Sequence, residues 1–261
     1  MRITSKLVLS CLFCFVPLLL SGCEPKGKDN TMDIVVRIFE HNIKSLRTIA
    51  SDQVNGLAKN TDMITALKEG NREKIQLVVA DFKSLQKCDF FTILDADGIV
   101  LFRTTNPDQF GDSHAFLRGF GDAVVTKKSS VYFETTASLP LYLCAAAPVL
   151  DGDGTVIAVI TGGFRFDTND WVDQVKQLYD VECTVFVDDV RVATTIKKPG
   201  TDERVVGIRL NNQMVYDTVF GKKITFMGEA VVVGQQIKVI YIPVVNEGDD
   251  KVMGMFFVAM P

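Results

Sequence analysis

The chain has 261 residues with 47% hydrophobic and 23% charged content, an ordinary globular composition long enough for two modest cores. The formal net charge is −4 and the isoelectric point near 5.3. This balance argues against a nucleic-acid surface, which needs clustered Lys and Arg, and leaves no polybasic membrane patch in the mature part.

Arg2 and Lys6 form a basic start, and residues 7–20 form an apolar run. The run is short for a transmembrane helix and of the right length for the apolar region of a secretory signal. It ends in Leu20-Ser21-Gly22-Cys23, which resembles the lipobox of bacterial lipoproteins at every position. The resemblance implies a signal peptide over residues 1–22 and lipid on Cys23 as the new first residue. The alternative is an ordinary secretory signal or an uncleaved anchor. Each buried acyl CH₂ contributes about 0.8 kcal/mol, so two or three chains on Cys23 would hold the protein lastingly at a membrane. Residues 23–30 read as a polar tether. Cys11 and Cys14 fall within the signal, which leaves Cys88, Cys144 and Cys183 without metal-ligand spacing. In an oxidising envelope one disulfide can form; Cys144 and Cys183 lie in apolar strand-like runs, where a buried free thiol is the simpler reading.

Residues 31–87 are predicted helical. Val35, Ile38, Phe39, Ile43, Leu46, Ile49, Ala50, Val54 and Leu57 recur mostly at steps of three and four. Thr61 or Asp62 restarts the helix after Asn60; Glu69-Gly70-Asn71 breaks it, and it resumes at Arg72. So long a pattern suits a stalk that pairs with a second copy, or a helix lying on its own domain.

Residues 88–167 form a first module. Strands are predicted at 90–95 and 99–105 around Ala96-Asp97-Gly98, a hairpin turn of the Asp-Gly kind. A short helix follows over 114–125 with Asp112 or Ser113 as its cap, then strands at 130–135, 141–149 and 156–166. Residues 168–181 are a linker helix capped by Thr168 or Asn169. Residues 182–261 repeat the plan. Cys183-Thr184-Val185-Phe186-Val187-Asp188-Asp189-Val190-Arg191-Val192-Ala193-Thr194-Thr195-Ile196 echoes the first hairpin, and Tyr241-Ile242-Pro243-Val244-Val245 echoes Ala145-Ala146-Ala147-Pro148-Val149. Strands are predicted at 183–187, 190–196, 224–233, 237–245 and 252–260, with a short helix from Asn211 or Asn212. The fold class is α+β: a long N-terminal helix, then two tandem modules, each a five-stranded antiparallel sheet with flanking helices.

Asp189-Val190-Arg191-Val192-Ala193-Thr194-Thr195 is similar to the "D-T-R-I-A-T-T" strand of the double Cache (PAS-like) sensor domains of bacterial chemoreceptors and sensor kinases. Val206-Gly207, Phe226-Met227-Gly228-Glu229-Ala230 and Tyr241-Ile242-Pro243-Val244 follow in that family's order, and Gly254-Met255-Phe256-Phe257-Val258 resembles its final strand. The resemblance covers nearly all the mature chain. It implies extracytoplasmic ligand sensing for chemotaxis or signal transduction rather than catalysis, with the ligand held in the membrane-distal first module. Implied partners are a small-molecule ligand, a membrane receptor or kinase and a second copy through the stalk, at the cell envelope facing the periplasm or exterior. No second membrane-spanning segment follows, so transmembrane signalling by this chain itself is not expected. The competing readings are a solute-binding lipoprotein serving a transporter, against which antiparallel sheets speak, and a truncated methyl-accepting chemotaxis receptor.

In the first module, Arg103 ends the second strand out of character with Leu101 and Phe102. His114 and Arg118 open the covering helix, and Tyr132 and Tyr142 lie on the third and fourth strands. An arginine, helix amides and tyrosine hydroxyls suit a small carboxylate, since arginine pairs with its plane through two hydrogen bonds. Each of these residues can instead be a solvated edge or a satisfied core side chain. The family's amino-acid motif, Tyr…Arg-x-Trp, is absent, which disfavours an amino-acid ligand. Arg191 reads as structural, and no ligand is expected in the second module. No catalytic motif, cofactor or metal site is indicated. Asp95-Ala96-Asp97-Gly98 and Asp151-Gly152-Asp153-Gly154 echo the start of a calcium loop without its closing Glu and read as turns.

Overall fold

The computed structural model describes residues 31–84, 87–136, 138–232 and 234–260. The predicted signal peptide, Cys23 and the tether lie outside the described residues.

The helical stretch is three helices. Helix α1 spans Thr31–Ala58, α2 Thr61–Lys68 and α3 Arg72–Ser84. The Asn60 carboxamide caps α2 by accepting from the Met63 amide at 2.9 Å, and the Asn71 carboxamide accepts from the Lys74 amide at 3.0 Å. Gly70 turns the chain between them at φ 64°, a conformation glycine adopts without penalty. The apolar stripe of α1, including Phe39, Ala50, Val54 and Leu57, is buried. It packs on the sheets of its own chain, which favours the second of the two sequence readings for most of its length.

Strands β1 (Phe90–Asp95), β2 (Val100–Arg103), β3 (Ser130–Glu134), β4 (Tyr142–Leu150) and β5 (Val156–Arg165) make the first sheet, in the order β2-β1-β5-β4-β3. Strands β6 (Glu182–Val187), β7 (Val190–Thr194), β8 (Phe226–Val232), β9 (Gln235–Val244) and β10 (Gly254–Met260) make the second, in the matching order β7-β6-β10-β9-β8. All pairings are antiparallel. Between the sheets runs α5 (Asn169–Tyr179), capped by the Thr168 hydroxyl. The second module's short helix α6 (Gln213–Tyr216), capped by Asn212, runs on into a π-helical turn at Asp217–Gly221.

Alternation along the strands assigns each sheet two faces. Leu143, Ala145, Ala147 and Val149 of β4 join Ile240, Ile242, Phe256 and Val258 of the second sheet in one core continuous with α1. The opposite face of the first sheet lies under α4 (Arg118–Thr126), and that of the second under α6. Pro148 of β4 and Pro243 of β9 each sit two residues past the last pair with a short edge strand, Ser130↔Ala146 and Phe226↔Tyr241. A proline is tolerated there because no neighbouring strand asks for its missing N–H.

Helix α4 differs from expectation. It starts at Arg118 rather than His114, and Leu117 is its N-cap without a side-chain hydrogen bond. The preceding residues are held extended instead: the Val100 amide donates to Asp112 O at 2.9 Å, and the His114 amide to Gly98 O at 2.8 Å. Asp112 and Ser113 therefore do not cap the helix. The three cysteines are free and buried; burial, helped by Asp89, pushes the Cys88 thiol up to about 12, and burial raises Cys144 and Cys183 as well.

Gly163 of β5 has no room for a side chain, since a Cβ there would lie 1.8 Å from Leu143 O. Gly163→Ala should lower the unfolding free energy by about 3 kcal/mol, because the obstacle is backbone and cannot rotate away. Chemical denaturation checks this: an unchanged midpoint would mean that β4 and β5 separate freely.

Candidate ligand cavity of the first module

Strand register builds the floor of a cavity of about 250 Å³ on the α4 face of the first sheet. One row runs Arg103↔Thr92↔Thr161, the next Phe90↔Gly163↔Cys144, and the last Arg165↔Tyr142. All of these except Gly163 line the cavity; Gly163, at the centre of the middle row, contributes no side chain. The roof is the β2–α4 loop, with Asn106, Gln109, His114 and Leu117, and the β3–β4 loop supplies Thr136, Ser138 and Leu139. Arg72 of α3 ties down the first loop. It donates to Leu101 O at 3.2 Å and to Pro107 O, and stacks on Phe110 with 3.9 Å between guanidinium and ring centroid.

Arg103 is buried, and one of its terminal nitrogens donates to the Asp112 carboxylate. Its Nε–H is buried without a hydrogen-bond partner. The hydrogen bond from the Arg103 terminal nitrogen holds the Asp112 carboxyl below the usual range. His114 Nε2 lies 3.5 Å from the other Asp112 oxygen. Burial, seconded by Arg103, holds the His114 pKa below the ordinary value, with Asp112 pulling the other way. At the far end Arg165 is held by Asp167 through two hydrogen bonds of 3.1 and 2.8 Å. The Tyr142 ring meets Phe90 edge-on at 5.6 Å, and its hydroxyl has no hydrogen-bond partner among the described residues. Burial raises its pKa, so it remains a neutral donor.

Of the residues singled out in the sequence, Arg103, His114 and Tyr142 meet in this cavity. Arg118 and Tyr132 lie outside its lining. Tyr132 shares the sheet face, opposite Cys144, but its hydroxyl donates to Asp122. Arg118 lies 4.1 Å over the Tyr132 ring and pairs with Asp249 of the second module. The first amides of α4 are likewise turned elsewhere, with Gly119 N–H donating to Glu134 Oε1 at 3.4 Å. Sequence reasoning missed Thr92, Thr161 and Arg165. The alternation of Thr161, Gly163 and Arg165 along one strand was the available signal.

A second feature, at the junction of the modules, had no sequence signal. Asn246, just past β9, is buried and reaches β3 of the other module. Its Oδ1 accepts from the Phe133 amide at 2.7 Å, and its Nδ2 donates to Phe133 O at 3.0 Å and to Asp249 Oδ2 at 3.1 Å. The side chain thus pairs with β3 as a neighbouring strand would. Among the described residues no group of His, Cys, Asp and Glu could hold a metal ion, and no helix is long and apolar enough to cross a membrane.

Residues 33–178 match a family model described as single Cache domain 3, and residues 165–261 match a second model of the same description. The chain belongs to the single Cache domain 3 family. With one match per module it is a double Cache-type sensor chain. A curated relative is the sensor histidine kinase DpiB of Escherichia coli (strain K12), 24% identical over 119 residues, 46% of this chain and 21% of the relative. The chain thus matches about one fifth of that kinase's length. Among solved structures, an extracellular ligand binding receptor from Desulfohalobium retbaense aligns with a TM-score of 0.57 at 12% identity, over 89% of this chain and 41% of the receptor. The sensor domain of the Vibrio cholerae histidine kinase DctB aligns with a TM-score of 0.54 at 14% identity, over 89% of this chain and 96% of that domain. These likenesses share the Cache fold.

The electrostatics of the roof are checked by NMR titration of the His114 ring. It should titrate below the ordinary value of about 6.5, and Asp112→Asn should lower it further by removing the carboxylate. Because the folded pKa is depressed, the associated stability is present above the unfolded pKa and is lost as pH falls through about 6.5 towards the folded value. An upward move in Asp112→Asn would contradict the arrangement.

Proposed function

We propose that this Cache chain is a lipid-anchored extracytoplasmic sensor whose first-module cavity binds a small organic anion, most simply a carboxylate. The observation that carries the reading is Arg103: a buried guanidinium on a cavity, with Nε–H unpaired after Asp112 is satisfied. A buried donor without a partner costs about 1–3 kcal/mol, and turning the guanidinium towards a ligand carboxylate would remove that cost. The Tyr142 hydroxyl, without a partner among the described residues, and the Thr92 and Thr161 side chains on the same floor offer further hydrogen bonds. The ligand oxygens would share Arg103 with Asp112, which belongs to the roof loop. A change there reaches α4, and through Arg118 and Asp249 the second module. A membrane receptor or kinase would read that change, a reading supported by the likeness to a sensor histidine kinase. Pairing of two copies would use the N-terminal part of α1, where Ile34 and Ile38 remain exposed.

Isothermal titration against a panel of short carboxylic acids tests the site. At least one acid should bind, Arg103→Gln should weaken it at least tenfold, and Tyr142→Phe several-fold, in line with about 1.5–3 kcal/mol for a hydrogen bond to a charged group. Unchanged affinity in Arg103→Gln would remove the site. The anchor is tested separately by metabolic labelling with radioactive palmitate. Label should be incorporated and lost in Cys23→Ala; label retained in that variant would refute lipidation at Cys23.

A further inference from the structure

Arg47 and Arg191 are the described arginines in which burial outweighs every charge partner and leaves the pKa lowered. Arg191 is walled in: it donates to Val205 O at 3.3 Å and lies 5.4 Å from the Phe186 ring centroid. Arg47 opens onto a cleft of about 360 Å³ between α1, β3 and the second sheet. It donates one hydrogen bond, to Val131 O at 3.0 Å, and its guanidinium lies 4.8 Å over the Phe133 ring. Arg103, Arg118, Arg165, Arg204 and Arg209 each pair with an aspartate. Arg47 has no carboxylate within ion-pair distance among the described residues, and Glu247 acts on it only from farther off.

The rest of the cleft has two characters. Its floor is aromatic and aliphatic, with Phe39, Phe133, Phe256 and Ile242. Its rim is cationic, with Lys44 exposed on α1 and Lys223, the latter tied to Asp250 at 3.0 Å; Glu40 is the one carboxylate in the lining. A half-buried cation beside an apolar floor favours a molecule that supplies both an anion and an apolar body. A highly charged anion would leave the floor unused, and a neutral apolar one would leave Arg47 uncompensated.

We propose that this intermodule cleft is a second binding site, for a small amphipathic anion carrying one carboxylate on an apolar body. None of its lining residues is shared with the first-module cavity, so the two sites stand or fall independently. Clefts between domains are common places for small ligands. Occupation here bears on the junction, because Phe133 offers its ring to the floor and its backbone to Asn246.

The test is a fluorescence titration of the full chain with 8-anilinonaphthalene-1-sulfonate, an aromatic anion. Trp171 reports from beside the floor: it is the chain's only tryptophan, with ring centroids 5.9 Å from Phe39 and 5.3 Å from Phe256. The dye should bind saturably at one equivalent and quench Trp171. Decanoate should displace it and decanol should not. Arg47→Gln should weaken binding at least tenfold, the loss of one charge-assisted contact. Lys44→Gln, at an exposed position that leaves the core intact, should weaken it a few-fold, and Arg103→Gln should leave it unchanged. Equal affinity in wild type and Lys44→Gln together with equal displacement by decanol would overturn the proposal, whether or not Arg47→Gln folds. So would absence of a saturable component, or loss of binding in Arg103→Gln alone.

Discussion

One aromatic cluster sets the geometry of everything else. Phe39 of α1, Phe166 at the end of the first sheet, Trp171 of α5 and Phe256 of β10 meet with ring centroids between 4.9 and 5.9 Å apart. Phe133 of β3 joins at 5.8 Å from Phe166. The long helix, both sheets and the linker therefore each contribute a ring to the same place. Edge-on and tilted aromatic contacts are directional as well as apolar, so the cluster orients the parts as well as burying surface. From there α1 runs over small residues of β4, Ala145 and Ala147, which let helix and sheet approach closely.

With the α1 side of each sheet committed to this core, the opposite faces are free to diverge. In the second module the centre of that face is filled by Phe186, Tyr241, Phe257 and Met255 under α6, and an open cleft lies at its end beside Ile196, Val232, Ile237 and Ala259. In the first, its centre is Gly163 and its edges are threonines and arginines, and the space left over is the cavity. The contrast comes from side-chain volume at equivalent strand positions, on two sheets of the same strand order. A shared fold whose sheet centre is packed in one copy and hollow in the other lets tandem copies differ in role.

Local features were legible in the sequence because local chemistry decides them. Asp95 Oδ1 accepts from the amides of Asp97 and Ile99, and Asp151 Oδ1 from those of Asp153 and Thr155, so both hairpins turn on the same device. Asn60, Thr168 and Asn212 cap the helices they precede. The reading failed where a distant partner outbid a local one. Asp112-Ser113 looks like a helix cap, but Arg103 on the neighbouring strand takes the carboxylate, and α4 begins later without it. Arg118 looked like a cavity residue, and Asp249, far along the chain, claims it. Arg103, His114 and Tyr142 were legible singly, as polar or aromatic residues on apolar strands or before the covering helix; that they meet, and that Arg165 joins them, needed the knowledge that β5 lies between β1 and β4.

The Asn246 contact has a consequence for the order in which the protein can mature. A chain synthesised or exported from its N-terminus presents the first module early, and domains ordinarily fold as they emerge. Here the outer edge of β3 lacks a strand beside it, and the backbone groups of Phe133 wait for a side chain from near the other end of the sequence. The module that appears first is thus finished last. Until the β9–β10 segment arrives, β3 is an open sheet edge of the kind that invites pairing with the wrong chain.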